Sequence, residues 1–269
     1  MTEPDPKTKA KKPRLPRGVL EQVRAREQKR GLLIAFEGPD SGGNRTQRRL
    51  FKTWLEHEGH EVVTARPPAS RGIRPLLKVR SKLRVLSAEE LCLLQAADFR
   101  HQLETRILPA LWQGKTVVAD RFLFTSLARA SARGLDLDWL LAAHAPLFFP
   151  DLVFYFAVSP ETSTTRVAAT RAPKYYDAGQ DVTSVADPIA SYRRFVGRMI
   201  REYESLALIF QFATIDGEQP IYEQHRRIRR LFQEGGRRPW GQWNEEAVSE
   251  WLAWSPAAAE VRRGAPARR

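Results

Sequence analysis

The sequence predicts an α/β chain in three layers: a five-stranded parallel sheet with helices on both faces. Three observations carry this. From Gly31 onward, short apolar runs of strand length alternate with longer runs at helical spacing. The first apolar run leads at once into a glycine-rich turn, "EGPDSGG", and then into a polar, helix-forming stretch. Glycine-rich or charged segments follow the ends of three strands: residues 38–46, Arg66, and the pair Asp120–Arg121. In open parallel sheets ligands sit beyond the carboxyl ends of the strands, so these segments mark one site.

The elements follow in order. "LLIAFEG" is continuously apolar and predicts a strand buried on both faces. Residues 45–58 read as a helix, with Leu50, Phe51, Trp54 and Leu55 at helical spacing. "EVVTARP" is a second strand, ended by prolines. Residues 87–114 read as one long helix, with Ser87 and Glu90 as a capping box and Gly114 as the stop. "TVVADRF" is a third strand with polar groups at its C-terminal end. "DLVFYFAVSPET" is a fourth, followed by Ser159 as a cap and Pro160 at the first helical position. Residues 187–209 form a helix opened by Asp187 and Pro188, "FATID" a fifth strand, and residues 219–233 a basic closing helix. No internal repeat is visible.

Composition bounds the function. The 269 residues, 42% hydrophobic and 28% charged, suffice for a full globular core. No apolar stretch reaches about 18 residues, so no membrane span is expected. The charged N-terminus has no apolar signal core, so the expected location is cytoplasmic. The single Cys92 leaves no internal disulfide framework; it reads as a buried helix residue. A net charge of +13 and a pI near 10.3 point to anionic partners, phosphates or nucleic acid. Residues 1–30 hold ten Lys/Arg against four acids, or +6, and read as a disordered, solubilising basic tail, with nucleic-acid contact the lesser reading. Residues 31–236 form the main domain. Residues 237–269 are an appendage with Trp251, Leu252 and Trp254 on a short docking helix, and a loose end.

Taken together, several segments resemble the thymidylate kinase family, nucleoside-monophosphate kinases of the P-loop class. "FEGPDSGGNRTQ" is similar to the family's F-E-G-x-D-G-x-G-K-S/T-T-Q. "ARPP" stands at the T-R-E-P position and "GIRPLL" at the arginine segment downstream. "LLQAADFRHQLETRILPALWQGKTVVADRF" resembles the long helix and the strand ending in D-R-Y/F/H. "TSLARASARGLDLDWL" and "PDLVFYFAVSPETSTTR" match the next helix, loop and strand. The resemblance spans residues 31–233 in the family's order and implies a three-layer P-loop NTPase fold.

The resemblance also implies roles. Gly38, Asp40, Ser41, Gly42, Gly43, Asn44, Arg45, Thr46 and Gln47 would form the nucleotide-binding loop, its amides holding donor phosphates. Asp40 would lie near the acceptor nucleotide. Arg66 and Arg74 would grip the acceptor phosphate, with Phe99 and Arg100 nearby. Asp120 would support the metal and Arg121 the phosphoryl group in transfer. Arg166, Arg171 and Lys174 fall in the region that closes as a lid. ATP would be the donor, Mg2+ the metal, and a homodimer through helices beside the sheet the assembly.

Several positions depart from the family pattern. Asn44 replaces the loop lysine, and Arg45 the magnesium-ligating Ser or Thr. Losing one such stabiliser costs on the order of a hundred- to a thousandfold in rate. Arg45 brings charge one residue later, and a guanidinium there repels a cation. On the acceptor side Phe99 stands at the family's A-A/D-R arginine, Arg129 and Ala130 at its Tyr-Gln pair, and Pro67 at its Glu. Two readings follow: ATP-dependent phosphorylation of a nucleoside monophosphate, dTMP by resemblance, or a kinase fold that binds a nucleotide or a partner without turnover. Nucleic-acid association through the tail is a third, resting on charge alone.

Overall fold

The computed structural model describes residues 31–145, 147–170 and 172–234. The basic tail, Arg171 and the tryptophan-bearing appendage lie outside the described residues. Five strands form where the apolar runs placed them: Leu33–Glu37 (β1), Val62–Ala65 (β2), Thr116–Asp120 (β3), Leu152–Ala157 (β4) and Ala213–Asp216 (β5). They make one all-parallel sheet of order β2-β3-β1-β4-β5. β1 is therefore central, with Ile34 opposite both Val118 and Leu152.

Every residue of β1 is buried, and alternate side chains feed different cores. Leu33 and Ala35 join one cluster; Ile34 and Phe36 join the other. This two-sided burial is why the run has no polar alternation. Phe36 packs 5.6 Å from Phe51 and 5.3 Å from Phe154, ring centre to ring centre.

The helices follow in chain order: Asn44–His57 (α1), Ile73–Leu83 (α2), Ala88–Gln102 (α3), Leu108–Trp112 (α4), Leu123–Ser131 (α5), Leu137–His144 (α6), Pro160–Ala168 (α7), Gln180–Thr183 (α8), Pro188–Ile209 (α9) and Ile221–Gln233 (α10). Phe51 and Leu55 of α1, with Ile228 and Phe232 of α10, cover one face of the sheet. α3 to α6 and α9 cover the other. Cys92 is buried in α3, as expected, and burial pushes its thiol up to about 11.

The caps at Ser159 and Asp187 form as expected, accepting from Thr162 N at 3.1 Å and Ala190 N at 2.7 Å. The box at Ser87 forms by half. Ser87 Oγ accepts from Glu90 N at 3.1 Å, but the Glu90 carboxylate turns to Arg80 of α2. The long helix expected over 87–114 forms as one unbroken helical run from Ala88 to Trp112, but it is not α-helical throughout. Between α3 and α4 the chain makes a wider π-helical turn, Leu103–Ile107. Pro109 explains it: its ring crowds the carbonyl four residues back and has no N–H to offer it, and a wider turn relieves both.

Candidate active site

The site is built from the turns after β1, β2 and β3. Leaving β1, the chain turns at Gly38 (φ 145°) and enters α1 through Gly43 (φ 104°). Side chains are strained at such angles, and a Cβ at Gly38 would also stand 3.0 Å from the Phe156 carbonyl oxygen. Thr46 N and Gln47 N donate back to Gly43 O, each at 3.1 Å. Among the described residues, nothing accepts from the amides of Ser41, Gly43, Asn44 and Arg45. Asn44 is 5% exposed, and its carboxamide has no hydrogen-bond partner there either. All four residues line a cleft of about 980 Å3.

Arg121 closes one side of this cleft. Its backbone sits in the left-handed region (φ 71°), an uncommon and costly place for a side-chain-bearing residue. Its guanidinium donates to Gly38 O at 2.7 Å and to Asp40 at 2.6 Å. Burial alone would lower its pKa, but Asp40, Tyr203, Glu37 and Asp120 together raise it, so the charge is held. Beneath it lies Glu37, fully buried. Glu37 accepts from Phe122 N at 2.9 Å and from the Thr125 hydroxyl, which also meets Tyr203 Oη at 2.7 Å. Burial pushes the Glu37 carboxyl up to about 7, against the opposing pull of Thr125 and Arg121.

Asp120 also lines the cleft. Its Oδ2 stands 3.4 Å from Arg66 Nε and 3.5 Å from Arg48 Nε. The Arg48 contact is one of charge, since that nitrogen makes no hydrogen bond of ordinary geometry. Arg48 was not singled out in the sequence. The signal was its place one helical turn after Asn44, on the same face of α1.

These residues do not fit a protein-held Mg2+. Asp120 is the carboxylate expected to support it, and two guanidiniums already face that oxygen. Arg45 occupies the hydroxyl position. Among the described residues, no three metal-ligating side chains cluster.

The other expected residues divide. Arg45 and Arg66 are exposed and line the cleft; Thr46 lines it too, and so does Phe99, packed edge-on against Phe122 at 4.9 Å. Arg166 donates to Gly217 O at 3.0 Å and Ser41 O at 3.4 Å. With Gln47 it lines a smaller cavity of about 340 Å3, which shares Ser41, Gly43 and Thr46 with the cleft. Gly42 N donates to Pro39 O at 3.3 Å and shapes the loop from within. Arg74 and Arg100 do not line the cleft: Arg74 is exposed on α2, and Arg100 pairs with Glu104 along its own helix.

The segment after α7 is tied down by arginines of the α5 region. Arg129 bridges Asp177 at 3.0 Å and approaches Asp40 at 3.5 Å; Arg133 bridges Asp181 at 2.8 Å. Tyr176 Oη accepts from Leu86 N at 2.8 Å and donates to Leu86 O at 3.0 Å.

Between the central strand of the parallel sheet and its following helix, the loop thus leaves amides unpaired in residues that line a cleft, a donor set that suits anionic oxygens. The fold, with its loop at this place, is that of the P-loop NTPases. Sequence comparison narrows the class. The family model described as thymidylate kinase matches residues 36–228, and the chain belongs to the thymidylate kinase family. It is 32% identical over 207 residues to a probable thymidylate kinase 2 of Saccharolobus solfataricus, covering 76% of this chain and 97% of that protein. A probable thymidylate kinase of Thermococcus gammatolerans is 30% identical, covering 74% and 94% respectively. One from Thermococcus kodakarensis is 34% identical over 155 residues, covering 54% and 76%. No helix among the described residues is long and apolar enough to cross a membrane.

Proposed function

We propose that this protein transfers the γ-phosphoryl group of ATP to dTMP, giving ADP and dTDP. The observation that carries the reading is the set of unpaired loop amides beside the unpartnered Asn44 carboxamide, in residues that all line the cleft. Anionic oxygens are the acceptors such donors need. In the reaction an oxygen of the dTMP phosphate attacks the γ-phosphorus, and the bond from that phosphorus to the β–γ bridging oxygen breaks, leaving ADP.

Such a transfer needs positioning and positive charge rather than covalent help. The loop amides and Asn44 hold the donor phosphates. Arg45 supplies charge at the cleft wall in place of the missing ammonium. Arg66 meets the acceptor phosphate from the end of β2. Arg121, charged and held by Asp40, stands between the two halves. Arg166 braces the loop against β5. The smaller cavity takes the donor base, where the buried side-chain oxygens of Gln47 and Gln224 have no donor and suit an exocyclic amino group.

The test is direct. Purified protein with ATP and dTMP should form ADP and dTDP, and Arg45→Ala should cut kcat on the order of a hundredfold. If the native protein shows no turnover while Asn44→Lys combined with Arg45→Thr creates it, the reading fails and the native chain binds without catalysis.

A further inference from the structure

We propose that Arg48 stands beside Asp120 where a divalent cation would have to stand, so that Asp120 anchors Arg66 instead of a metal ion. This rests on the nucleoside-monophosphate kinase reading above, in which Arg66 meets the acceptor phosphate. It makes Arg48 a positioning residue that acts through Asp120.

The sheet brings the three residues together. β3 runs between β2 and β1. Ala65 and Ala119 are register partners, so Arg66 and Asp120 leave their strands side by side. On the other edge Asp120 is opposite Phe36, and the chain leaving β1 returns as α1, which carries Arg48. One carboxylate oxygen, Oδ2, therefore meets both cations: Arg66 Nε at 3.4 Å and Arg48 Nε at 3.5 Å.

The two arginines differ in their surroundings. The Arg48 side chain is 16% exposed, and its Nε is buried without a hydrogen bond. Among the described residues its guanidinium meets no charge but Asp120. An enclosed cation depends on its counter-ion, so Arg48 and Asp120 hold each other. The Arg66 side chain is 59% exposed and borders the cleft, free to turn to a ligand. Charge counting then separates the roles. An Asp120–Arg66 pair alone is neutral and has little to offer a phosphate. With Arg48 the group carries one net positive charge, and Arg66 presents it to the cleft. A divalent cation approaching the same oxygen meets like charge on both sides, and Mg2+ demands a near-octahedral oxygen shell that two guanidiniums crowd.

The experiment is Mn2+ titration of the full chain, followed by the paramagnetic signal of the free ion, with calorimetric titration of dTMP on the same preparations. Asp120→Asn should match the wild type in Mn2+ binding to within about twofold. Arg48→Ala should gain Mn2+ affinity by about tenfold, and combining it with Asp120→Asn should abolish the gain. Arg48→Ala should also weaken dTMP about tenfold, because Asp120 then neutralises Arg66. Arg48→Lys keeps the charge and should restore wild-type behaviour in both titrations; a merely structural Arg48 would not tie metal affinity to Asp120. Should Arg48→Ala fail to fold, Arg48→Gln, which keeps most of the stem, takes its place. A loss of Mn2+ affinity on Asp120→Asn alone overturns the proposal. So does an uncharged, folded Arg48 variant with unchanged Mn2+ affinity or unchanged dTMP affinity. A wild type that binds no dTMP overturns the acceptor half of the proposed function, and the Mn2+ titrations still decide the place of Arg48.

Discussion

The Asp40 carboxylate stands 2.6 Å from the Arg121 guanidinium, joining the nucleotide loop to the turn after β3 across 81 residues of chain. The same guanidinium holds the Gly38 carbonyl. The loop and the Asp120–Arg121 turn are thus tied together, and Arg121 meets its partners on the loop from a strained conformation. In Asp40→Ala the cation remains with its best partner gone. Urea unfolding should show a loss of about 2 kcal/mol, and turnover should fall further than dTMP affinity.

Asn44 should behave in the opposite way. Its carboxamide holds no other group among the described residues, so Asn44→Ala should change unfolding free energy by less than about 0.5 kcal/mol. The same change should weaken an ATP analogue about tenfold, since one charge-assisted donor to phosphate is lost. Thermal melts and calorimetry on one preparation separate the two effects.

Glu37 makes stability depend on pH. Its carboxyl is raised by burial from 4.5 to about 7, so between these values the folded chain binds a proton that the unfolded chain has released. The contribution is fully present below about pH 4.5 and lost as pH rises through about 7, amounting to about 3 kcal/mol. Unfolding free energies of wild type minus Glu37→Gln, measured from pH 4.5 to 8, should fall by that amount and then level off.

Tyr176 ties the segment after α7 to the loop before α3 by meeting both backbone groups of Leu86. Tyr176→Phe leaves a buried N–H and C=O unpaired and should cost about 2 kcal/mol in chemical unfolding. The acceptor's KM should rise more than that of ATP, because Asp177 and its partner Arg129 border the cleft beside this tie.

Much of this was legible in the chain. The apolar runs placed β1, β3 and β4, because a strand buried on both faces cannot hide its composition; β2 and β5, at the sheet edges and only partly buried, were marked by their β-branched residues and flanking turns. Gly38 and Gly43 announced the loop, since few other residues accept those backbone angles. Asp120–Arg121 announced the site by ending a buried strand with charge. The π-helical turn at 103–107 was less legible, because Pro109 sits in a run otherwise periodic from Ser87 to Trp112. The half-formed capping box at Ser87 depended on Arg80, which lies on a different helix.

Sequence alone determined the strand and helix inventory, the glycine loop and the family, because periodicity, turn chemistry and motif order are properties of neighbouring residues. Tertiary structure decided which charges meet: Arg48 and Arg66 on Asp120, and Arg121 and Arg129 on Asp40. Those ion pairs join side chains from separate elements. Their partners are chosen by how the helices pack on the sheet, which no local window of sequence contains.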